Sequence, residues 1–326
     1  MNAIIESIGI YHPVQKVYND FFEKRLETSD QWIRERTGIE SRFFCSPDEY
    51  TSDMCVQAAK NLSETYHKDL SDVDFIIVAT TTPDQVVPNV ASQIQDRLNI
   101  SQAGAVDLSS ACAGFCNGLI LAKGLIAAGT HRKILVFGAD VLSKVTDFAD
   151  RTTCILFGDA AGVVLVEHSE ENTLLEPLTG THGEFGKDLY LSSQKSFING
   201  EAVVANNKLH QNGRVVYKWA IQTLSSGLKS LAEKNGFSLD KVDFFVPHSA
   251  NYRMLEVVFQ QLNIPMERCL DSVRRYGNTS AASIPLAWYE GIVSRKVRVD
   301  DTLLLMGFGG GFTYSGIGIK NKIKRV

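Results

Sequence analysis

The segment Leu70-Ser71-Asp72-Val73-Asp74-Phe75-Ile76-Ile77-Val78 returns in outline as Leu239-Asp240-Lys241-Val242-Asp243-Phe244-Phe245-Val246. In each copy a short polar lead runs into a near-continuous apolar stretch, the pattern of a strand covered on both faces. Each copy follows a helical pattern of similar length and precedes a polar corner. The corners Phe137-Gly138-Ala139 and Gly307-Phe308-Gly309 also correspond, as do the final strands of the two halves. An internal duplication is therefore expected, at a period of roughly 170 residues and far longer than a solenoid repeat. A chain of 326 residues, 44% of them hydrophobic, is long enough to give each half a core. The expected halves are residues 1–170 and 171–326.

Apolar patterning predicts strands at 3–10, 73–79, 133–138 and 163–166, one leading into Cys112, and later ones at 242–246, 302–306 and 312–320. Helices are expected from a Thr28-Ser29-Asp30 cap to about Arg36, at 51–66, 88–98, 113–129, 214–235 and 250–262, and from about 280. Strands alternating with helices imply right-handed crossovers and a layered α/β architecture. Residues 168–213 are polar and irregular, and read as a surface connector with short strands of its own. The N-terminus has no basic segment leading into an apolar core, and no apolar run approaches membrane-spanning length. Six scattered cysteines without metal spacing point to reduced thiols in a cytoplasm. A net charge of −4 carries no nucleic-acid signature.

Chemistry concentrates at four corners. Ser110-Ala111-Cys112-Ala113-Gly114 stands between a strand and a helical pattern, which places Cys112 near a helix N-terminus. Free backbone N–H groups and the helix dipole favour a thiolate there, and small neighbours admit a substrate. Pro247-His248-Ser249-Ala250-Asn251 puts His248 at the carboxyl end of a buried strand, where α/β proteins place their chemistry. Gly277-Asn278-Thr279-Ser280-Ala281-Ala282-Ser283 opens another helix, and Gly309-Gly310-Gly311 brings bare backbone close to something. Taken singly, each is equally well explained as a buried thiol, a capping His, a capping Asn and a tight bend. Together, Cys, His and Asn beside a glycine-rich loop make an acyl-transfer site.

These four motifs, in this order, resemble those of the β-ketoacyl-acyl carrier protein synthase III family, condensing enzymes of the thiolase fold. The likeness spans essentially the whole chain and includes Thr28-Ser29-Asp30-Gln31-Trp32-Ile33, Arg36-Thr37-Gly38, Asp150-Arg151-Thr152 and Phe157-Gly158-Asp159. The resemblance implies two duplicated α/β halves in an αβαβα arrangement. It also implies decarboxylative condensation of an acyl-CoA primer with malonyl-acyl carrier protein through a Cys112 acyl-enzyme. His248 and Asn278 would bind the enolate oxygen, the backbone N–H groups of Cys112 and Gly310 would form the oxyanion hole, and Phe308 would shield the site. For CoA, Trp32 and Arg151 would sandwich the adenine, with Arg36 and Thr37 near the phosphates. Gly213, Tyr217, Ala250 and Asn251 would line the pantetheine tunnel. No metal or prosthetic group is implied.

The acidic carrier protein needs a basic mouth, for which Arg214, Lys218, Arg253, Arg274 and Arg275 are candidates. Lys218 and Arg253 match positions the family uses, whereas Gln260 and Gln261 stand where a relative has lysines. Val87 stands where acetyl-specific relatives carry phenylalanine at the end of the acyl pocket. In the family that residue comes from the other subunit of a homodimer, and valine there implies room for branched or longer primers. The nearest alternative is a synthase III-like acyltransferase of a polyketide or other secondary pathway. A papain-like hydrolase would show Cys-Gly-Ser-Cys-Trp and disulfides, which this chain lacks. In thiolase proper a second cysteine belongs in the glycine-rich corner, and Cys269 is not there.

Overall fold

Two sheets with one connectivity organise the chain. The computed structural model describes residues 1–192 and 194–325. Across the first sheet the strands run Asn2–Tyr11, Asp159–Ser169, Lys133–Val141, Phe75–Ala79 and Gly104–Leu108. Phe75–Ala79 is parallel to both its neighbours, and the remaining two pairings are antiparallel. Across the second sheet they run Leu174–Thr181, Thr313–Lys320, Thr302–Gly309 and Phe244–Pro247, with only the last pair parallel. The fifth position survives there as a single parallel bridge between Phe245 and Cys269. Strand for strand, the second sheet therefore repeats the first.

Side-chain burial stacks the layers. Helices Gly114–Ala127 and Ser283–Val293 lie between the sheets, where Phe115, Leu119, Ile284 and Trp288 pack with Ile77, Val136, Val246 and Leu305. Both helices are apolar around most of their circumference, as a helix covered on two sides must be. Helices Thr51–Tyr66 and Val90–Arg97 cover the outer face of the first sheet. Gly213–Lys234 and Tyr252–Leu262 cover that of the second. The result is the expected αβαβα arrangement. Among the described residues no helix is long and apolar enough to cross a membrane.

Most predicted elements appear within two or three residues of their expected limits. The strand predicted at 133–138 runs on to Val141 and that at 163–166 starts at Asp159, because the small residues Gly138, Ala139, Ala160 and Ala161 interrupt the apolar pattern without interrupting the ladder. The larger difference lies within 168–213. Leu174–Thr181 is a full strand of the second sheet, not part of a connector. Its Pro177 and Gly180 disguise it. Both are tolerated because the strand is at a sheet edge, where a missing N–H costs little. Beyond it, Leu189–Ser192 pairs with Lys208–Gln211 and reaches back over the site.

Candidate active site

Each catalytic candidate is positioned by a different junction. Leu108 ends its strand, a 3-10 turn spans Ala111–Ala113, and the central helix begins at Gly114. Cys112 thus sits just before a long helix, at the carboxyl end of the edge strand Gly104–Leu108, close to the helix N-terminus as expected. His248 follows directly on Phe244–Pro247 and is buried. Asn278 is held by the other half of the chain. Its N–H donates to Leu156 O at 2.8 Å, and its carbonyl accepts the Gly158 N–H at 3.0 Å. Gly277 (φ +68°) makes that approach possible, since a Cβ there would lie 2.8 Å from Leu156 O. The glycine-rich corner is built against the cysteine. A Cβ on Gly309 would lie 2.9 Å from the Cβ, N and Sγ of Cys112.

Three of these corners hold a non-glycine residue in the left-handed region: Ala111 (φ 44°), Ser280 (φ 49°) and Phe312 (φ 50°). Such a conformation costs roughly 1–2 kcal/mol per residue and persists only where its surroundings impose it. Neither the Cys112 nor the Gly310 backbone N–H meets a backbone acceptor among the described residues. Both remain available as donors.

The corners open on one cavity of about 970 Å³. Cys112, His248, Asn278, Gly310 and Phe308 all line it. So do Trp32, Arg36, Thr37, Gly213, Tyr217, Ala250 and Asn251. Ser29 caps the helix that carries Trp32 by accepting the Trp32 backbone N–H at 3.1 Å. Leu142, Phe157, Leu189, Leu191 and Leu209 add an apolar stretch to its wall. Among the described residues no three His, Cys, Asp or Glu side chains come together as a metal site requires.

Other candidates lie elsewhere. Arg151 is not in the cavity wall. Its guanidinium stands 5.1 Å from the Trp32 ring centre and donates to Glu27 O at 2.6 Å, too close to the indole to admit a base between them. Val87 is 82% exposed and lies outside its own chain's cavity. Arg253 is engaged, pairing with Glu256 at 2.8 Å and donating to Glu35 O and Arg34 O. Arg274 and Arg275 pair with Asp271 and Glu290. Arg214 and Lys218 are exposed and have no ion pair among the described residues.

Burial acts against the helix terminus at the sulfur. Burial pushes the Cys112 thiol up to about 12, against a hydrogen bond from Ser280 that favours the thiolate. Burial and the nearby Asp140 carboxyl favour the thiol, and the Ser280 hydrogen bond opposes them. Alkylation of Cys112 by iodoacetamide should therefore keep climbing between about pH 6 and pH 9. A plateau near neutrality would show the opposite balance. Burial also lowers His248 to about 3, leaving a neutral imidazole. Asn278 Oδ1 accepts the Ser280 N–H at 2.9 Å, which leaves its Nδ2 free to donate.

Sequence reading missed the buried Asp140. Its Oδ1 gathers the Thr81 N–H (2.7 Å) and the hydroxyls of Thr81, Thr82 and Thr80 (2.8, 3.1 and 3.2 Å). It thereby fixes Thr81, which lines the cavity. The run Thr80-Thr81-Thr82 at a strand's carboxyl end was the available signal.

Comparison with known proteins matches this arrangement. The family model described as 3-oxoacyl-[acyl-carrier-protein] synthase III fits residues 106–183, and that of its C-terminal part fits 232–320. The chain belongs to the β-ketoacyl-acyl carrier protein synthase III family. It is 48% identical to β-ketoacyl-[acyl-carrier-protein] synthase III 2 of Halalkalibacterium halodurans, over 97% of this chain and 95% of that one. Identity to the Bacillus subtilis protein of the same name is 47%, over 98% of both. The crystal structure of the Thermus thermophilus synthase III superposes with a TM-score of 0.94 at 37% identity, covering 97% and 98% of the two chains. The matched segments contain Cys112, His248 and Asn278 and the glycine corner.

Proposed function

We propose that this synthase III starts fatty acid synthesis by condensing an acyl-CoA primer with malonyl-acyl carrier protein. The observation that carries the reading is the convergence of Cys112, His248 and Asn278 on one cavity with an apolar stretch in its wall. The Cys112 sulfur attacks the primer thioester, and the N–H groups of Cys112 and Gly310 bind the tetrahedral oxyanion. The departing CoA thiolate leaves as the thiol, taking up the proton that Cys112 gives up. Malonyl-carrier then loses CO₂, and the enolate oxygen receives hydrogen bonds from His248 and Asn278. A neutral imidazole and a carboxamide can donate without a charge to repel the enolate. The carbanion attacks the acyl group and expels the Cys112 thiolate, which takes up a proton from solvent to regenerate the thiol. No residue need act as a base toward Cys112 while also serving the enolate.

Trp32, Arg36 and Thr37 in the cavity wall are suited to the nucleotide end of CoA, provided that Arg151 swings off the indole. The halves 1–170 and 171–326 each supply part of the site. Arg214 and Lys218, on the helix that also presents Gly213 and Tyr217, are suited to an acidic carrier. The neighbouring helix, with Arg253 neutralised and Gln260 and Gln261 uncharged, is less so. A homodimer is supported by the open edge strand Gly104–Leu108 with Val106 exposed, and by Val86 and Val87, which protrude 81% and 82% exposed. Asn89 ties that protruding loop to Ala105 of the same edge strand. Val87 would then close the partner's acyl pocket. Val87→Phe should shift primer preference from isobutyryl-CoA toward acetyl-CoA by about tenfold or more, read by mass spectrometry of mixed-primer incubations. An unchanged ratio would remove Val87 from the pocket.

The reading is tested by supplying acyl-CoAs and malonyl-acyl carrier protein and weighing the carrier. A β-ketoacyl-carrier is expected. Acylated Cys112 without that product would point to the acceptor of a secondary pathway, and failure to release CoA from any primer would sink the reading.

A further inference from the structure

His248 has two ring nitrogens and, being neutral, one proton to place between them. Its Nδ1 lies 2.7 Å from the hydroxyl of Ser283, the first residue of the second central helix, and both side chains are buried. The same hydroxyl oxygen accepts the Ser249 backbone N–H at 3.3 Å. These are the contacts of that hydroxyl among the described residues. A backbone N–H can only donate. If Nδ1 also carried a hydrogen, both neighbours would donate to the oxygen, and the proton of Ser283 would be buried with no acceptor. With the Ser283 O–H donating to Nδ1, every group is satisfied and the ring proton sits on Nε2.

We propose that Ser283 is a positioning residue that holds His248 in the Nε2-protonated tautomer, so that an N–H donor is presented to the enolate oxygen. The inference rests on the condensing reaction proposed above. Ser283 touches no reacting atom and lies outside the cavity wall. Its backbone is held by a serine triangle, through its main-chain carbonyl. Ser272 Oγ donates to Ser283 O at 3.0 Å, while Ser272 N donates to Ser249 Oγ at 3.0 Å. Phe308 packs edge-on against the imidazole, ring centres 5.2 Å apart, and restrains its rotation. Without the Ser283 hydroxyl nothing keeps the proton off Nδ1, and with the proton there Nε2 turns a lone pair toward the developing negative charge. That contact is repulsive where a hydrogen bond is needed.

The test separates the two half-reactions in wild type, Ser283→Ala and Ser283→Thr. Acyl-enzyme formation, read as CoA release, should be unchanged in all three. Decarboxylation of malonyl-carrier should fall in Ser283→Ala by roughly 10–100-fold in kcat with little change in KM, the scale on which outer partners of metal-bound imidazoles act. Ser283→Thr, which keeps the hydroxyl, should recover most of it. The ¹⁵N spectrum of histidine-labelled wild-type enzyme should show His248 with a pyridine-type Nδ1 and a pyrrole-type Nε2. The reverse assignment, an unaffected decarboxylation rate, or an equal loss in both half-reactions would overturn the proposal. The wild-type spectrum decides the tautomer whether or not a variant folds. It does so even if the wild-type enzyme neither releases CoA nor decarboxylates malonyl-carrier, an outcome that would defeat the condensing-enzyme reading instead.

Discussion

Cys112→Ala should abolish the acyl adduct seen by intact-protein mass spectrometry and lower condensation by about 10⁴-fold or more, the scale of losing a catalytic nucleophile. No other thiol is placed to substitute. Cys116, four residues on, is fully buried in the central helix, and burial pushes its thiol up to about 12 as well. Cys55, Cys154 and Cys269 are buried away from the cavity wall, and Cys45 faces Met54 on the far side of the first sheet. Removing the sulfur leaves His248 and Asn278 in place, because neither is held by it. Their anchors are the Ser283 hydroxyl and the Ser280 N–H. Decarboxylation of malonyl-carrier should therefore continue in Cys112→Ala, uncoupled from carbon–carbon bond formation. An adduct that persists in the variant would mean that another group carries the acyl chain.

The opposite dissection is expected from Asn278→Asp. The side chains are nearly isosteric, and one carboxylate oxygen can still accept the Ser280 N–H that now binds Oδ1 at 2.9 Å. The backbone bonds to Leu156 and Gly158 do not involve the side chain, so the corner should hold its shape. What changes is the atom facing the cavity. A donating Nδ2 becomes an accepting oxygen with negative charge beside a developing enolate. Loss of one such donor costs on the order of 10²–10³ in rate, and the added repulsion should place the variant at the upper end. Acyl-enzyme formation should survive. The pH profile carries the sign. Burial raises a carboxyl group's affinity for its proton, and protonation restores an O–H donor. Condensation by the variant should therefore recover partly as pH falls toward 5, whereas the wild-type rate should show no such gain. A variant that loses both half-reactions equally, or that gains nothing in acid, would show that Asn278 acts mainly by shaping the corner.

Much of this molecule is written locally. The apolar runs at Phe75–Ala79 and Phe244–Pro247 declare buried strands because only a strand between two layers tolerates so continuous a pattern. The corners that follow them, at small residues opening helices, disclose where chemistry can sit. The limits of such reading are also local. Pro177 and Gly180 hid an edge strand, since a pattern of side chains says nothing of which edge a strand will occupy. Asp140 was invisible because its four donors come from three threonines about 60 positions away.

The sequence by itself determined the alternation of strands and helices, the duplication, the family and the corners that carry Cys112, His248 and Asn278. Each of these depends on residue type and spacing along one stretch of chain. Only the tertiary structure decided the protonation of the site, which groups were free and which were spent. Burial pushed the Cys112 thiol up and the His248 imidazole down, and contacts across distant segments engaged Arg253 and laid Arg151 over Trp32. Desolvation and long-range pairing depend on what surrounds a group in space, and that is settled only when the layers close.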